Sequence, residues 1–105
     1  MKIIRYEDES GRIRYGARPD HGQPRRIEGD VFGDYRVTDD VAAVTRLLAP
    51  VRPTALFCIG LNYRKHAEES GKPAPQFPVL FMKNPGAVQD PGEPILLPTH
   101  LRSEE

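Results

Sequence analysis

Apolar and polar residues alternate from the start of the chain. Ile3 to Tyr6 reads as a short strand, Glu9-Ser10-Gly11 as a turn, and Arg12-Ile13-Arg14-Tyr15-Gly16 as a second alternating strand. Together they predict an N-terminal hairpin. Residues 17–26 are polar, and Pro19, Gly22 and Pro24 mark them as loop. Arg26-Ile27-Glu28 reads as a third short strand, followed by turn formers from Gly29 to Tyr35. Thr38 before Asp39 and Asp40 predicts a capped helix to Leu48, with Val41, Val44, Leu47 and Leu48 on one face. The rival reading is a strand from Val44 to Leu48. Pro50 and Pro53 bracket a linker, which places a domain boundary at about residue 53.

The second half has a different rhythm. Leu56 to Ile59 is a continuous apolar run, the pattern of a strand buried on both faces, and Gly60 ends it. Asn62 is placed to cap a helix and Gly71 to terminate it. Pro73, Pro75 and Pro78 hold the next segment open. Val79-Leu80-Phe81-Met82-Lys83 reads as a strand, and Asn84-Pro85-Gly86 as a turn. Asp90-Pro91-Gly92-Glu93-Pro94 reads as another turn, and Ile95-Leu96-Leu97 as another strand. Strands outnumber helices. The expectation is a β-rich α+β chain: a small β-domain over 1–53 and a second unit over 54–105.

Composition narrows the partners. The chain has 105 residues, is 38% hydrophobic, and balances fifteen basic residues with fifteen acidic ones. That neutrality gives no support for a nucleic-acid partner, which needs a basic face. It leaves room for a small anion, because one local cation suffices. The lone Cys58 excludes a disulfide within the chain and lies in an apolar run, where an inert thiol is the default. The first residues lack the apolar stretch of a signal peptide, and no run approaches ~18 apolar residues. The expectation is a cytoplasmic protein with no membrane partner.

His66 is the first candidate for chemistry. In Asn62-Tyr63-Arg64-Lys65-His66-Ala67-Glu68-Glu69, a helix would put His66 and Glu69 three apart on one face. A carboxylate beside an imidazole raises its proton affinity and orients the ring, which suits a general base. Solvated neighbours on a surface helix is the plainer reading of the same spacing. Lys83 ends an apolar strand on the face of Val79 and Phe81. It can meet a substrate carboxylate, or simply extend its ammonium to water. Asn62 and Tyr63 serve to cap and pack the helix, and Glu68 faces solvent. His21 and His100 have no partners at metal spacing.

Residues 58–98, CIGLNYRKHAEESGKPAPQFPVLFMKNPGAVQDPGEPILLP, resemble the fumarylacetoacetate hydrolase family. Three linked motifs carry the resemblance. They are Gly60-x-Asn62-Tyr63-x-x-His66-x-x-Glu69, Pro78-Val79-Leu80-Phe81-x-Lys83, and Pro91-Gly92-x-Pro94-Ile95-x-Leu97-Pro98. The stretch from Met1 to about Pro53 is similar to the small extra domain of many bacterial members, through Arg5-Tyr6-Glu7 and Leu47-Leu48-Ala49-Pro50. The resemblance implies the first strands and lid helix of a mixed β-roll. It implies hydrolytic carbon–carbon cleavage, decarboxylation or isomerisation of a small anionic 2-keto or 1,3-dicarbonyl acid. The His matching His66 would activate water, with the Glu matching Glu69 as its partner. It implies Mg²⁺ or Mn²⁺ in the complete protein, and a homodimer. The family holds its metal with a Glu-x-Glu pair and a later Asp. Glu104 and Glu105 are adjacent, so on a strand they face opposite ways and are not assigned as ligands. The expectation is an N-terminal fragment or truncated product, without metal and inactive alone. A non-catalytic interaction module is the alternative.

Overall fold

A computed structural model describes residues 1–100 of the chain. It is strand-rich, with two antiparallel sheets and one short helix. The strands are β1 (Lys2–Glu7), β2 (Ile13–Arg18), β3 (Arg25–Gly29), β4 (Tyr35–Val41), β5 (Arg46–Leu48), β6 (Leu56–Gly60) and β7 (Val79–Lys83). The helix α1 spans Arg64–Glu69, and a 3-10 turn spans Pro85–Ala87. The chain divides into two compact units: Met1–Val51 with the segment from Gln89, and Arg52–Val88.

The first unit is a five-stranded sheet in the order β4-β3-β2-β1-β5. The alternation at the N-terminus produces the expected hairpin, with Lys2 opposite Arg18 and Glu7 opposite Ile13. Tyr6 lies opposite Arg14 near the hairpin turn, only 1% exposed, and burial pushes its phenol up from the ordinary tyrosine value. Ala17, Ile27, Ala42, Leu48 and Ala49 are the other buried apolar residues of this unit.

Two turns of the sheet share one construction, Asp-x-x-Gly-x. In Asp8–Arg12 the Asp8 N–H donates to the Arg12 carbonyl at 2.9 Å, and Gly11 N–H donates to the Asp8 carbonyl at 3.0 Å. The Asp8 carboxylate accepts from the Ser10 N–H and hydroxyl, the Arg12 N–H, and the Arg14 Nε. Asp30–Asp34 repeats the backbone pair and the Asp side-chain bond, here from the Phe32 N–H. Gly29 precedes that second turn at φ +97, and a Cβ there would stand 2.4 Å from the Asp34 carbonyl oxygen. Only glycine fits.

The helix expected from Thr38 to Leu48 is absent; those residues complete β4, make a short connection, and form β5. The rival strand reading is right for its second part, Arg46–Leu48. Thr38 is no helix cap. It is buried, and its hydroxyl donates across the sheet to the Arg26 carbonyl at 2.8 Å. Arg26 in turn pairs with Asp40 at 2.6 Å and Glu28 at 2.9 Å. The β-branched residues of this stretch favour a pleated, partnered backbone, and cross-strand partners outweigh weak helix propensity.

The segment after Val88 completes this unit. Asp90-Pro91-Gly92-Glu93 is a turn with Pro at its second position and Gly92 at φ +78. The Asp90 carboxylate accepts the Ala49 N–H at 2.7 Å, and Arg5 donates to the Ala49 carbonyl at 3.3 Å. Ala49 is buried, so these side chains satisfy backbone groups that water cannot reach. The strand expected over Ile95–Leu97 does not form. Those residues are 82–85% exposed and have no ladder partner among the described residues.

The second unit is built on β6 and β7, paired from Leu56 opposite Lys83 to Gly60 opposite Val79. The expectation that β6 is buried on both faces fails. Its residues alternate between half-buried and exposed, because two strands cannot cover their own faces. No helix among the described residues is long and apolar enough to cross a membrane.

The hairpin cap makes acid sensitivity predictable. The bonds from Ser10 and Arg14 hold the Asp8 carboxyl well below the ordinary carboxylate range, and the bond from Arg26 lowers Asp40. A depressed carboxyl stabilises fully above its unfolded value, near ~4. It loses that contribution as pH falls through the folded value. Thermal melts should therefore show Tm falling below about pH 4. Asp8→Asn should lower Tm by a few degrees at neutral pH and flatten the acid limb. An unchanged acid limb in that variant would remove Asp8 from the account.

Candidate functional site

The candidate residues lie on the unit built from β6 and β7. β6 ends at Gly60, and the chain turns through Leu61 at φ +51. Leucine there carries strain of about 1–2 kcal/mol, because its Cβ crowds the following carbonyl. Tyr63, not Asn62, occupies the helix N-cap position, and no side chain caps the helix. The Asn62 expectation fails for a geometric reason: the helix begins one residue too late for its carboxamide.

The C-terminus of α1 follows the expectation closely. Gly71 adopts φ +64, its N–H donates to Glu68 at 3.0 Å, and the Lys72 N–H donates to Ala67 at 3.0 Å. This paired closure uses the left-handed residue that glycine supplies. Ala67 is 1% exposed and is the buried residue of the helix. Six residues are too few for a stable isolated helix, so this closure and the burial of Ala67 matter.

His66 and Glu69 both fall within α1 and are both exposed. Their spacing of three puts them on one helical face. Among the described residues, no hydrogen bond or ion pair joins their side chains. Lys83 is the last residue of β7, opposite Leu56, exposed, and on the face of Val79 and Phe81. Cys58 is a half-buried free thiol. His21, Glu68 and His100 are exposed. Glu104 and Glu105 lie outside the described residues.

Sequence reasoning missed a groove of about 420 Å³ walled by residues 59–62 with Arg64 and by residues 74–78. Arg64, Asn62 and Gln76 bring polar groups to it, and Phe77 brings an aromatic wall. Its signal was present as two polar side chains beside Gly60 and one inside the Pro-rich loop. His66, Glu69 and Lys83 do not line it. Among the described residues, no cluster of three or more His, Cys, Asp or Glu side chains could hold a metal ion. The described residues therefore do not fit the divalent ion that the resemblance implies.

Comparison with known families decides the lineage. Residues 55–105 match the fumarylacetoacetate (FAA) hydrolase C-terminal model, and residues 1–50 match the Rv2993c-like N-terminal model. The chain belongs to the fumarylacetoacetate hydrolase family. An uncharacterized protein of Archaeoglobus fulgidus is 40% identical over 74 residues, covering 69% of this chain and 28% of that protein. Protein Rv2993c of Mycobacterium tuberculosis is 41% identical over 58 residues, covering 55% and 22%. A bovine (Bos taurus) protein named oxaloacetate tautomerase FAHD2A, mitochondrial, is 42% identical over 52 residues, covering 49% and 17%. The chain thus spans 17–28% of the length of these three relatives. No solved structure matches it.

Within this fumarylacetoacetate hydrolase segment, the helix closure can be tested directly. A Cβ at Gly71 would meet open space, so Gly71→Ala isolates the backbone term. It should weaken α1 by about 1 kcal/mol. Amide exchange at Ser70 to Lys72 should accelerate several-fold, while β1 and β2 amides remain unchanged. Unchanged exchange at Lys72 would show that the closure does not hold the helix.

Proposed function

We propose that this chain carries the proton-transfer helix of an enzyme acting on small 2-keto or 1,3-dicarbonyl acids. The observation that carries the reading is the placement of His66 and Glu69. They are exposed on one face of α1, inside the segment that matches the family model. His66 accepts a proton from water or from the carbon between two carbonyl groups. Glu69 lies one turn away and favours the imidazolium that results. Hydrolytic cleavage takes that proton from water and isomerisation takes it from carbon; decarboxylation instead forms its enolate by losing CO₂ and needs a proton returned to carbon. The printed name of the bovine relative makes oxaloacetate the first substrate to try. Lys83 offers an ammonium to a substrate carboxylate. A divalent ion such as Mg²⁺ or Mn²⁺ stabilises an enolate when bound. The described residues do not supply its ligands, and no step here passes through it.

In this reading a small β-domain before residue 53 precedes the first strands of a mixed β-roll, and the complete protein is a cytoplasmic homodimer. The test joins residues 1–105 to the remaining catalytic domain of a relative and follows oxaloacetate keto–enol conversion by absorbance. Turnover is expected with added Mg²⁺, and His66→Ala should reduce it by roughly 10²–10⁴-fold. Undiminished turnover in that variant would refute the base assignment.

One observation favours a second reading, a non-catalytic interaction module. Phe57 is 67% exposed, Met82 64%, Leu80 63% and Ile59 47%. Phe57 pairs with Met82 and Ile59 with Leu80, so the four share one face of the hairpin. A contiguous apolar face favours association, and a zero net charge does not oppose it. Sedimentation should therefore detect self-association of the 105-residue chain, reversed by Phe57→Ser with Met82→Ser. A monomer at all concentrations would count against this module.

A further inference from the structure

We propose that the groove beside α1 is a binding site for a small carboxylate, with Arg64 as its ion-pair partner. The proposal does not depend on the role of His66. Residues two apart on a helix lie about 200° around the axis from each other, so Arg64 and His66 serve different sides of α1. His66 accordingly does not line the groove.

Charge selects the ligand class. Arg64 is the one charged residue lining the groove among the described residues. A lone cation without a competing carboxylate favours an anion. Its guanidinium has no hydrogen bond or ion pair among the described residues, so its planar fork is free for a bidentate carboxylate. The carboxamides of Asn62 and Gln76 reach the same groove from its two walls, and neither is bonded elsewhere among the described residues. Each can donate to a carboxylate or a carbonyl oxygen.

Shape agrees with a short-chain acid. Phe77 and Leu61 give the groove an apolar wall for the carbon atoms of the ligand. The strained backbone at Leu61 sits in that wall. Strain of this kind collects at ligand clamps. The groove's size lies in the range of small-molecule sites. A keto acid and a plain carboxylate present the same recognised group.

The test is an NMR titration of the ¹⁵N-labelled 105-residue chain with pyruvate, with acetate, and with neutral acetamide. Pyruvate should give saturable shifts confined to residues 59–64 and 74–78. Arg64→Gln should weaken binding at least tenfold, and Arg64→Lys less, because it keeps the charge without the fork. Gln76→Glu should also weaken it, by placing a carboxylate opposite the ligand. Variant spectra that overlay the parent away from the groove establish that these variants fold. Tighter binding of pyruvate than acetate identifies a keto acid as the ligand, and equal binding identifies any small carboxylate. Equal shifts with acetamide, shifts elsewhere in the chain, or undiminished binding by Arg64→Gln would overturn the proposal.

Discussion

A two-stranded antiparallel sheet has two faces and nothing of its own to cover them, and residues 52–88 are arranged around that shortage. β6 and β7 satisfy each other's backbone groups across five residue pairs. Their side chains do not bury one another, which leaves Phe57, Leu80 and Met82 mostly in water. The six-residue helix is likewise too short to be stable by propensity. It depends on Ala67 inside and Gly71 at its end. The candidate residues His66 and Glu69 thus stand on a lightly packed base. Lids and binding loops are drawn from the low-stability end of a structure for that reason.

The first unit solves the opposite problem. Five strands make one sheet with Tyr6 buried on β1 between β2 and β5, and side chains bond the backbone at several places outside the ladders. Asp8 and Asp30 close two turns of the same design, and Arg5 and Asp90 hold the two polar groups of Ala49. The Arg26, Glu28, Arg36 and Asp40 charges form a ladder on the exposed face of β3 and β4. Exposed pairs of this kind contribute little to stability singly, but they discourage other chains from adding to the sheet.

Much of this was legible in the residues. Period-two alternation located β1, β2 and β3, and the apolar runs located β6 and β7. Gly71 announced the end of α1. The errors came from three physical sources. Thr38-Asp39-Asp40 has the composition of a helix start, but a buried cross-strand bond from Thr38 decides otherwise. Leu56–Ile59 has the composition of a fully buried strand, but burial depends on layers that lie outside the strand itself. Ile95–Leu97 has strand composition without a partner to pair with. At the site, the His66 and Glu69 spacing could be read directly. The groove could not, because it is made by the segment from Ile59 to Arg64 and by the Pro-rich loop beyond α1, and no local period joins Arg64 to Gln76.

The bond between Ala49 and Asp90 has a topological meaning. The Ala49 N–H and the Asp90 carboxylate are 2.7 Å apart although 41 positions separate them in the chain. The polypeptide therefore departs from the first sheet and returns to it at nearly one point. Residues 52–88 are, in effect, a closed excursion of the chain whose two ends lie side by side. A segment with neighbouring ends can open locally while the sheet that it leaves and rejoins stays paired.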